Sequence, residues 1–506
     1  MRWWRAVSAA LVIALPGSLV TAPGPQPIAN AQVFPDLSTP FAQRILWANA
    51  LLEAGLLGDS LAVYEQEIER LRAEGDRDRE REFIQGLAAG LQYQGHFDAA
   101  RRYYERAQAL VAHEATAPPY VVHSLAQALG TLYQRQGQWE QALETYQAAL
   151  TATAPLDADW ASANTFKDLG LVYHNLGQWP AAHAAYQQAL AAYAATDDYE
   201  EPEAALVLSY LGLLYQAEGD SEAARQAYEQ ARQQAAKLEE GTPRLMFQAL
   251  ALQQLQQLAE AQGQTVQAQT YAQAAAALLQ PAPPGLSDEA HPGSLGLALG
   301  WVSVGEFYLA IRDSERAQQA FDQAVATAQQ SFNQPYDPLL VLRSITHIYT
   351  QVQQPAQAIP YQQQALAVLA AVEMPPQTDL ILQGLAALYL KAGQFPAALA
   401  TYQQALAAYD QPGQTLGYTD DAREVARIWQ GLAQAYQGQG NWEQALLACQ
   451  RALELSQEAQ SLVQQLAVLE QWAAAATAGD RPQLAQDLRQ QAQALRQQEA
   501  FGPWRF

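Results

Sequence analysis

Small and apolar residues return along most of the chain at fixed positions within a unit of about 40 residues. The clearest copy covers residues 129–150, LGTLYQRQGQWEQALETYQAAL. Counted from its first Leu, this copy has Gly at +1, Tyr at +4, Gly at +8, Ala at +13, Tyr at +17 and Ala at +20. The same register fits nine origins: Leu87, Leu129, Leu169, Leu211, Leu255, Val304, Ile345, Leu385 and Leu432.

Three of these positions indicate how each copy folds. Positions +13 and +20 are Ala in all nine copies, which indicates a contact between helices that leaves no room for a larger side chain. Position +8 is Gly in seven copies, and Arg312 and Gln353 replace it in the other two. A Gly at this place is typical of a helix that ends in a left-handed residue and turns back. Each copy therefore predicts two antiparallel helices, helix A before the turn and helix B after it.

This signature, with an aromatic residue at +17 in six of the nine copies, resembles the tetratricopeptide repeat. The resemblance covers residues 84–480. Successive origins lie 40 to 49 residues apart, against the usual repeat of about 34, and this spacing is similar to the long-period arrays of the kinesin light chain. The resemblance implies an all-α fold: a right-handed α-solenoid of antiparallel helix pairs, with about nine to eleven repeats.

The N-terminus has the pattern of a secretory signal peptide, which we assign to residues 1–31. Arg2 and Arg5 precede an apolar run, and residues 29–31 form a small-x-small cleavage site. We therefore expect export to the periplasm, or to a comparable extracytoplasmic compartment of a bacterium. Retention as an uncleaved anchor is the alternative.

The remainder of the chain predicts five segments. Residues 32–83 are expected to form N-terminal capping helices, and residues 84–280 a first repeat block. Residues 281–296 are rich in Pro and Gly, which predicts a hinge or loop. A second block covers 297–480, and residues 481–506 are expected to form a C-terminal capping helix and tail.

Composition restricts the possible partners. The chain has 28 Lys and Arg against 51 Asp and Glu, which gives a formal net charge of -23. Such a surface repels phosphate groups and argues against nucleic acid as a partner, whereas a basic ligand would be attracted. The alternative is that the acidity only keeps a Gln-rich array in solution. The single cysteine, Cys449, excludes an intrachain disulfide, and we interpret it as a buried packing residue.

No arrangement of catalytic residues stands out. The seven histidines are scattered, and the sequence contains neither an HExxH pair nor a Gly-rich phosphate loop. Acidic residues between 197 and 203 could bind calcium, but they lack the spacing of a known calcium loop, which favours a solvated turn. We therefore predict a protein that is not an enzyme and has no metal or cofactor.

In the tetratricopeptide-repeat family, helix A lines a concave groove that binds peptides or proteins. The resemblance implies that this face carries sixteen partner-binding residues: Gln127, Thr131, Gln134, Arg135, Asn164, Lys167, Leu171, His174, Asn175, Leu213, Arg343, His347, Lys391, Arg427, Gln430 and Gln434. The predicted function is a protein-interaction scaffold for a peptide or protein partner, with the assembly of an envelope complex as one setting. The alternative is a self-associating structural solenoid without a peptide ligand.

Overall fold

The structure is a computed structural model that describes most of the chain: residues 40–112, 118–153, 159–195, 202–239, 241–279, 294–331, 336–371, 375–407, 409 and 419–499. The predicted signal peptide, residues 281–293 of the predicted hinge and the tail after residue 499 lie outside the described residues.

The described residues form 22 α-helices and no strand, which confirms the all-α prediction. In chain order the helices are α1 (Pro40–Glu53), α2 (Leu57–Glu74), α3 (Arg77–Tyr93), α4 (Phe97–Ala112), α5 (Pro119–Arg135), α6 (Trp139–Thr153), α7 (Asp159–Asn175), α8 (Trp179–Ala195), α9 (Pro202–Glu218), α10 (Ser221–Ala235), α11 (Thr242–Ala261), α12 (Thr265–Leu278), α13 (Ser294–Ala310), α14 (Ser314–Ala328), α15 (Tyr336–Gln351), α16 (Pro355–Ala371), α17 (Pro375–Lys391), α18 (Phe395–Ala407), α19 (Thr419–Gly438), α20 (Trp442–Glu458), α21 (Leu462–Ala478) and α22 (Pro482–Glu499). None of these described helices is long and apolar enough to cross a membrane.

Contacts divide the described residues into two compact units. The terminal unit holds the described residues up to Tyr103 and from Pro355 onward, and the central unit holds Tyr104–Gln354. These boundaries differ from the predicted repeat blocks, because α11 and α13, which lie on either side of the predicted hinge, pack against each other within the central unit. The last three residues of the predicted hinge, 294–296, belong to α13.

The central unit repeats one packing scheme. Helices α5 and α6 pack as a hairpin, and so do α7 and α8, α9 and α10, α11 and α12, and α13 and α14. Each A helix also contacts the next A helix along the chain, from α5 through α7, α9, α11 and α13 to α15. The A helices therefore form one shared surface of this unit, which we call the helix-A face.

The invariant alanines lie where the helices meet. All eighteen Ala residues at positions +13 and +20 are no more than 4% exposed, which confirms the predicted close contacts. The turn geometry is also as predicted. The seven Gly residues at +8 have positive φ angles, and Arg312 (φ 62°) and Gln353 (φ 57°) adopt the same left-handed conformation without being Gly.

The Gly at +1 and the aromatic residue at +17 of the same copy face each other. Gly130, Gly170, Gly212 and Gly305 each lie against such a ring, and an ideal Cβ on Gly212 would lie 2.2 Å from Cε1 of Tyr228. A side chain at +1 would therefore collide with the ring as it lies in these four copies. In these copies the Gly and the aromatic residue form one packing unit, which explains why both belong to the repeat signature.

In the terminal unit, the N-terminal hairpin (α1 and α2) packs against the C-terminal hairpin (α21 and α22), and we call this contact the seam. Leu51 and Leu56 of the N-terminal hairpin share a buried apolar cluster with Leu466 and Leu488. Across the seam, Nε and Nη2 of Arg496 donate to the two carboxylate oxygens of Asp59 at 2.8 and 2.7 Å. The described part of the terminal unit therefore has no open C-terminal end, because the N-terminal hairpin covers it.

Candidate functional site

The central unit carries twelve of the sixteen predicted partner-binding residues on its helix-A face, but many of them already form hydrogen bonds within the unit. Nε2 of Gln127 donates to Oδ2 of Asp168 at 2.6 Å, and the hydroxyl of Thr165 donates to Oε1 of Gln127 at 2.6 Å. The hydroxyl of Tyr146 donates to Oε1 of Gln134 at 2.9 Å. The amide groups of Gln127 and Gln134 are therefore already engaged within the unit.

Residues further along the same face are engaged as well. Oδ1 of Asn164 accepts from Nζ of Lys167 at 3.2 Å. Nδ2 of Asn175 donates to the carbonyl oxygen of Ala310 at 3.1 Å, and Nη1 of Arg135 donates to Oε1 of Gln351 at 3.4 Å. The bonds of Asn175 and Arg135 connect repeats that are far apart in sequence, so these two side chains tie distant parts of the central unit together.

The two apolar residues among the predicted partner-binding residues, Leu171 and Leu213, are only 5% and 9% exposed. Thr131 Oγ1 donates to the carbonyl oxygen of Gln127 at 3.0 Å. Arg343 and His347 lie on α15 and remain exposed. The central helix-A face thus leaves few of its predicted groups available to a partner.

Burial shifts the pKa of several groups on this face. Desolvation raises the pKa of Asp168, although Lys167 and the hydrogen bond from Gln127 act in the opposite direction. Burial lowers the pKa of His174. It also lowers the pKa of His347, where Arg135 and Arg343 add to the effect. Each shift is toward the neutral form, which is the direction expected when burial removes a charged group from water.

The terminal unit has an open cleft of about 690 Å³ beside the seam, which we call the seam cleft. Its walls come from the C-terminal end of α1 with the following turn, from α19, and from α21 with the turn before it. Arg427, Gln430 and Gln434, all predicted from the repeat register, line this cleft together. The sixteenth predicted residue, Lys391, is on α17 and is not part of the lining.

Two side-chain amides in the seam cleft, unlike those of Gln127 and Gln134 in the central unit, are available to bond to a ligand. Gln430 is half-buried and Gln434 is exposed, and the side chain of neither forms a hydrogen bond to any described residue. Gln464, on α21, is 5% exposed and donates through Nε2 to the carbonyl oxygen of Arg423 on α19 at 2.8 Å. Its Oε1 has no partner among the described residues.

Charged groups line all three walls of the seam cleft. Glu53 projects from α1, Glu470 from α21, and Arg423 and Arg427 from α19. Partial burial raises the pKa of Glu53, and the nearby guanidinium of Arg427 partly offsets this rise. The arginine and the glutamate are therefore close enough to interact across the cleft.

Sequence reasoning missed the cleft residues that come from the terminal hairpins, although the register extends into them. Counted from Trp47, the N-terminal hairpin has Gly55 at +8, Ser60 at +13, Tyr64 at +17 and Glu67 at +20. Gly55 is left-handed, and Ser60, Tyr64 and Glu67 are at most 1% exposed, as at the equivalent positions of the other copies. The signal was hidden because Ser and Glu occupy the two positions that are Ala elsewhere.

The C-terminal hairpin follows the register in the same way. From Trp472, Asp480 falls at +8 with a φ of 57°, while Ala485 and Ala492 fall at +13 and +20 and are buried. The terminal hairpins therefore have the same design as the nine copies.

Among the described residues, no group of three or more His, Cys, Asp or Glu side chains could hold a metal ion.

Family models of the tetratricopeptide repeat match residues 122–195 and 338–411, residues 167–239 and residues 426–458. No curated protein sequence matches this chain.

Several solved structures are similar to parts of the chain. BtubC (BKLC) from P. vanneervenii is 23% identical over 45% of this chain and 94% of its own length, with a TM-score of 0.39. A putative kinesin light chain from Podosopora anserina is 20% identical over 40% of this chain and 97% of its own, with a TM-score of 0.31. The apo quorum sensor NprR from B. thuringiensis is 13% identical over 73% of this chain and 98% of its own, with a TM-score of 0.34. At these identities and TM-scores, the similarities carry no inference about what this chain binds.

Proposed function

We propose that this chain, which is a tetratricopeptide-repeat protein, is a noncatalytic scaffold that holds an extended segment of a partner protein in the seam cleft. The observation that carries the proposal is the pair of uncommitted amides, Gln430 and Gln434, on the wall of an open cleft. An extended segment presents a free backbone N–H and C=O at each residue, and a Gln side chain can both donate to and accept from such groups.

The size and composition of the seam cleft support this role. Its volume of about 690 Å³ lies within the range of about 300 to 1,000 Å³ that is usual for ligand sites. Apolar surface from Trp47 and Val463 adjoins the amides and the charged groups. A peptide could therefore bury an apolar side chain while its backbone bonds to the amides.

The central helix-A face supports the role less well. Gln127, Gln134 and Asn175 would have to exchange existing bonds for bonds to a ligand. Replacing one hydrogen bond by another contributes little net free energy, whereas leaving a buried group without a partner costs about 1 to 3 kcal/mol. We therefore assign the central unit a structural role in this proposal.

Selection of peptides from a random display library tests the proposal. Gln434→Trp would fill the seam cleft, and Leu447→Trp is the matched control because Leu447 is 58% exposed on α20 and does not line the cleft. We expect peptides selected on the wild type to lose binding to Gln434→Trp by at least about tenfold and to retain it for Leu447→Trp. Peptides that bind all three proteins equally would show that the cleft is not the site.

We further propose that the chain is exported and that its partner belongs to an envelope complex. Arg2, Arg5 and the small-x-small site at residues 29–31 support export. Fractionation of bacteria that produce the tagged chain, with N-terminal sequencing of the product, provides the test. Recovery from the periplasm with Gln32 as the first residue is the expected result, and recovery of the uncleaved chain from the cytoplasm would contradict it.

A further inference from the structure

The charges of the seam cleft are separated by wall. The carboxylates of Glu53 and Glu470 come from α1 and α21, whereas the guanidinium groups of Arg423 and Arg427 both come from α19. The separation gives the cleft a direction, with an acidic side and a basic side.

The acidic side has more negative charge than its neighbours neutralise. Arg496 is the nearest cation to Glu470, to which its Nη2 donates at 2.9 Å, but both carboxylate oxygens of Asp59 accept from the same guanidinium. One Arg thus serves two carboxylates. Glu53 adds a third carboxylate to this region, and Arg427, which interacts with it, also donates through Nη1 to Oε1 of Glu424 at 2.7 Å.

We infer that the seam cleft selects a peptide segment that carries both charges, with a Lys or Arg against Glu53 and Glu470 and an Asp or Glu against Arg427. The inference rests on the proposed function, because it specifies the ligand of the same cleft. A cation on the acidic side would supply the positive charge that Arg496 divides between two partners. An anion on the basic side would compete with Glu424 for Arg427.

Recognition of the cation depends on the seam. Glu53 belongs to the N-terminal hairpin, and it reaches the cleft because this hairpin packs on α21 and α22. The two carboxylates that face the cation are 417 positions apart in the sequence. A ligand that contacts both Glu53 and Glu470 therefore stabilises the docked position of the hairpin. Docking of the hairpin strengthens binding of the ligand by the same free energy.

The net charge of the chain agrees with this assignment. At -23, the protein attracts cationic segments over a distance, while Arg427 would act only on a ligand that is already in the cleft. Long-range attraction alone would select for basic peptides of any sequence. The basic wall adds a requirement for an acidic residue within the same segment.

The test compares peptides selected by display on the wild type, on Glu53→Gln and on Arg427→Gln. The wild-type pool is expected to be enriched in peptides that combine Lys or Arg with Asp or Glu. The Glu53→Gln pool should lose the basic enrichment and keep the acidic one, and the Arg427→Gln pool should do the reverse. Hydrogen exchange in α1 should remain at the wild-type level in Glu53→Gln, which separates a lost charge from an undocked hairpin.

A double-mutant cycle with one selected peptide completes the test. Changing its basic residue to Gln should weaken binding about three- to tenfold on the wild type and less than about twofold on Glu53→Gln, as expected for partly exposed charge pairs. Equal losses on both proteins, or a wild-type pool enriched in one sign of charge only, would overturn the inference. Peptides that Gln434→Trp blocks but that show no charge pattern would overturn the inference and leave the proposed function standing.

Discussion

Replacing Gly212 by Ala tests whether the Gly at +1 makes room for the ring at +17. An ideal Cβ at this position would lie 2.2 Å from Cε1 and 2.4 Å from Cδ1 of Tyr228, whereas carbon atoms in contact are separated by about 3.5 Å or more. The ring or a helix must therefore move by about 1.3 Å. The ring has little freedom to do so, because it is fully buried and its hydroxyl donates to Oε1 of Gln216 at 3.1 Å.

The expected magnitude follows from two opposing effects. Overpacking costs about 1 to 3 kcal/mol, and a displacement of this size belongs at the upper end. Ala is favoured over Gly inside a helix by about 1 kcal/mol. We therefore expect Gly212→Ala to lower the local free energy of unfolding by about 2 kcal/mol. In a Tyr228→Ala background the clash is absent, so the same change should raise it by about 1 kcal/mol, and the two sites are coupled by about 3 kcal/mol.

Native-state hydrogen exchange in α9 and α10 measures this local free energy, without the assumption that a chain of two compact units unfolds in one step. Gly58→Ala in α2 is the control, because a Cβ at Gly58 would meet no atom within 4 Å. That control should gain up to about 1 kcal/mol. The reasoning would be refuted if Gly212→Ala left α9 and α10 as stable as in the wild type, or if its penalty persisted without the Tyr228 ring.

Three further predictions concern the turns, the seam and the central unit. Arg312→Gly should raise the opening free energy of α13 and α14 by about 0.5 to 1 kcal/mol, because an exposed Arg in the left-handed conformation costs more than a Gly there. Gly219→Ala should lower the opening free energy of α9 and α10 for the same reason. Equal hydrogen exchange in variant and wild type would contradict this prediction. Leu488 is 2% exposed in the apolar cluster at the seam. Leu488→Ala should lower the opening free energy of α22 by about 2 to 5 kcal/mol and should also speed hydrogen exchange in α1. A change confined to α22 would argue against the seam. Burial raises the pKa of Asp168 above 3.8, so the stabilising contribution of this carboxyl is fully present below pH 3.8 and is lost as the pH rises through the raised pKa. The thermal midpoint of the Asp168→Asn variant should therefore fall less over that pH range than the midpoint of the wild type. At pH 7 the variant should have the higher thermal midpoint.

The nine copies were predictable because small residues cannot be exchanged where helices touch. The Ala residues at +13 and +20 and the Gly residues at +8 have one steric requirement each, so a single sequence reveals them. The same logic failed at the ends. Glu67 occupies an Ala position, where Nη2 of Arg44 donates to its carboxylate at 2.7 Å, and Asp480 occupies a Gly position. At Glu67, an ion pair with Arg44 makes a buried carboxylate tolerable at a position where the repeat pattern has Ala.

The candidate site was predictable only in part, for a related reason. The register placed Arg427, Gln430 and Gln434 on one helix face, and that face does line a cleft. It placed Gln127 and Gln134 on an equivalent face, where bonds to Asp168 and Tyr146 engage them. Periodicity determines which face a residue lies on. Whether a side chain from a neighbouring helix or repeat already forms a hydrogen bond with the residue depends on tertiary contacts, which no local sequence pattern contains.

The seam shows why the ends of this array matter for its function. An array that ends in solvent needs a polar outer face on its last repeat, yet Leu466, Leu469 and Leu488 belong to an apolar cluster that the N-terminal hairpin joins through Leu51 and Leu56. Apolar contact alone has no direction, so the pairing of Arg496 with Asp59 and Glu470 is what aligns the two hairpins. The same alignment brings Glu53 to the cleft beside Glu470. The contacts that stabilise the seam thus also determine the charge pattern that a ligand would meet.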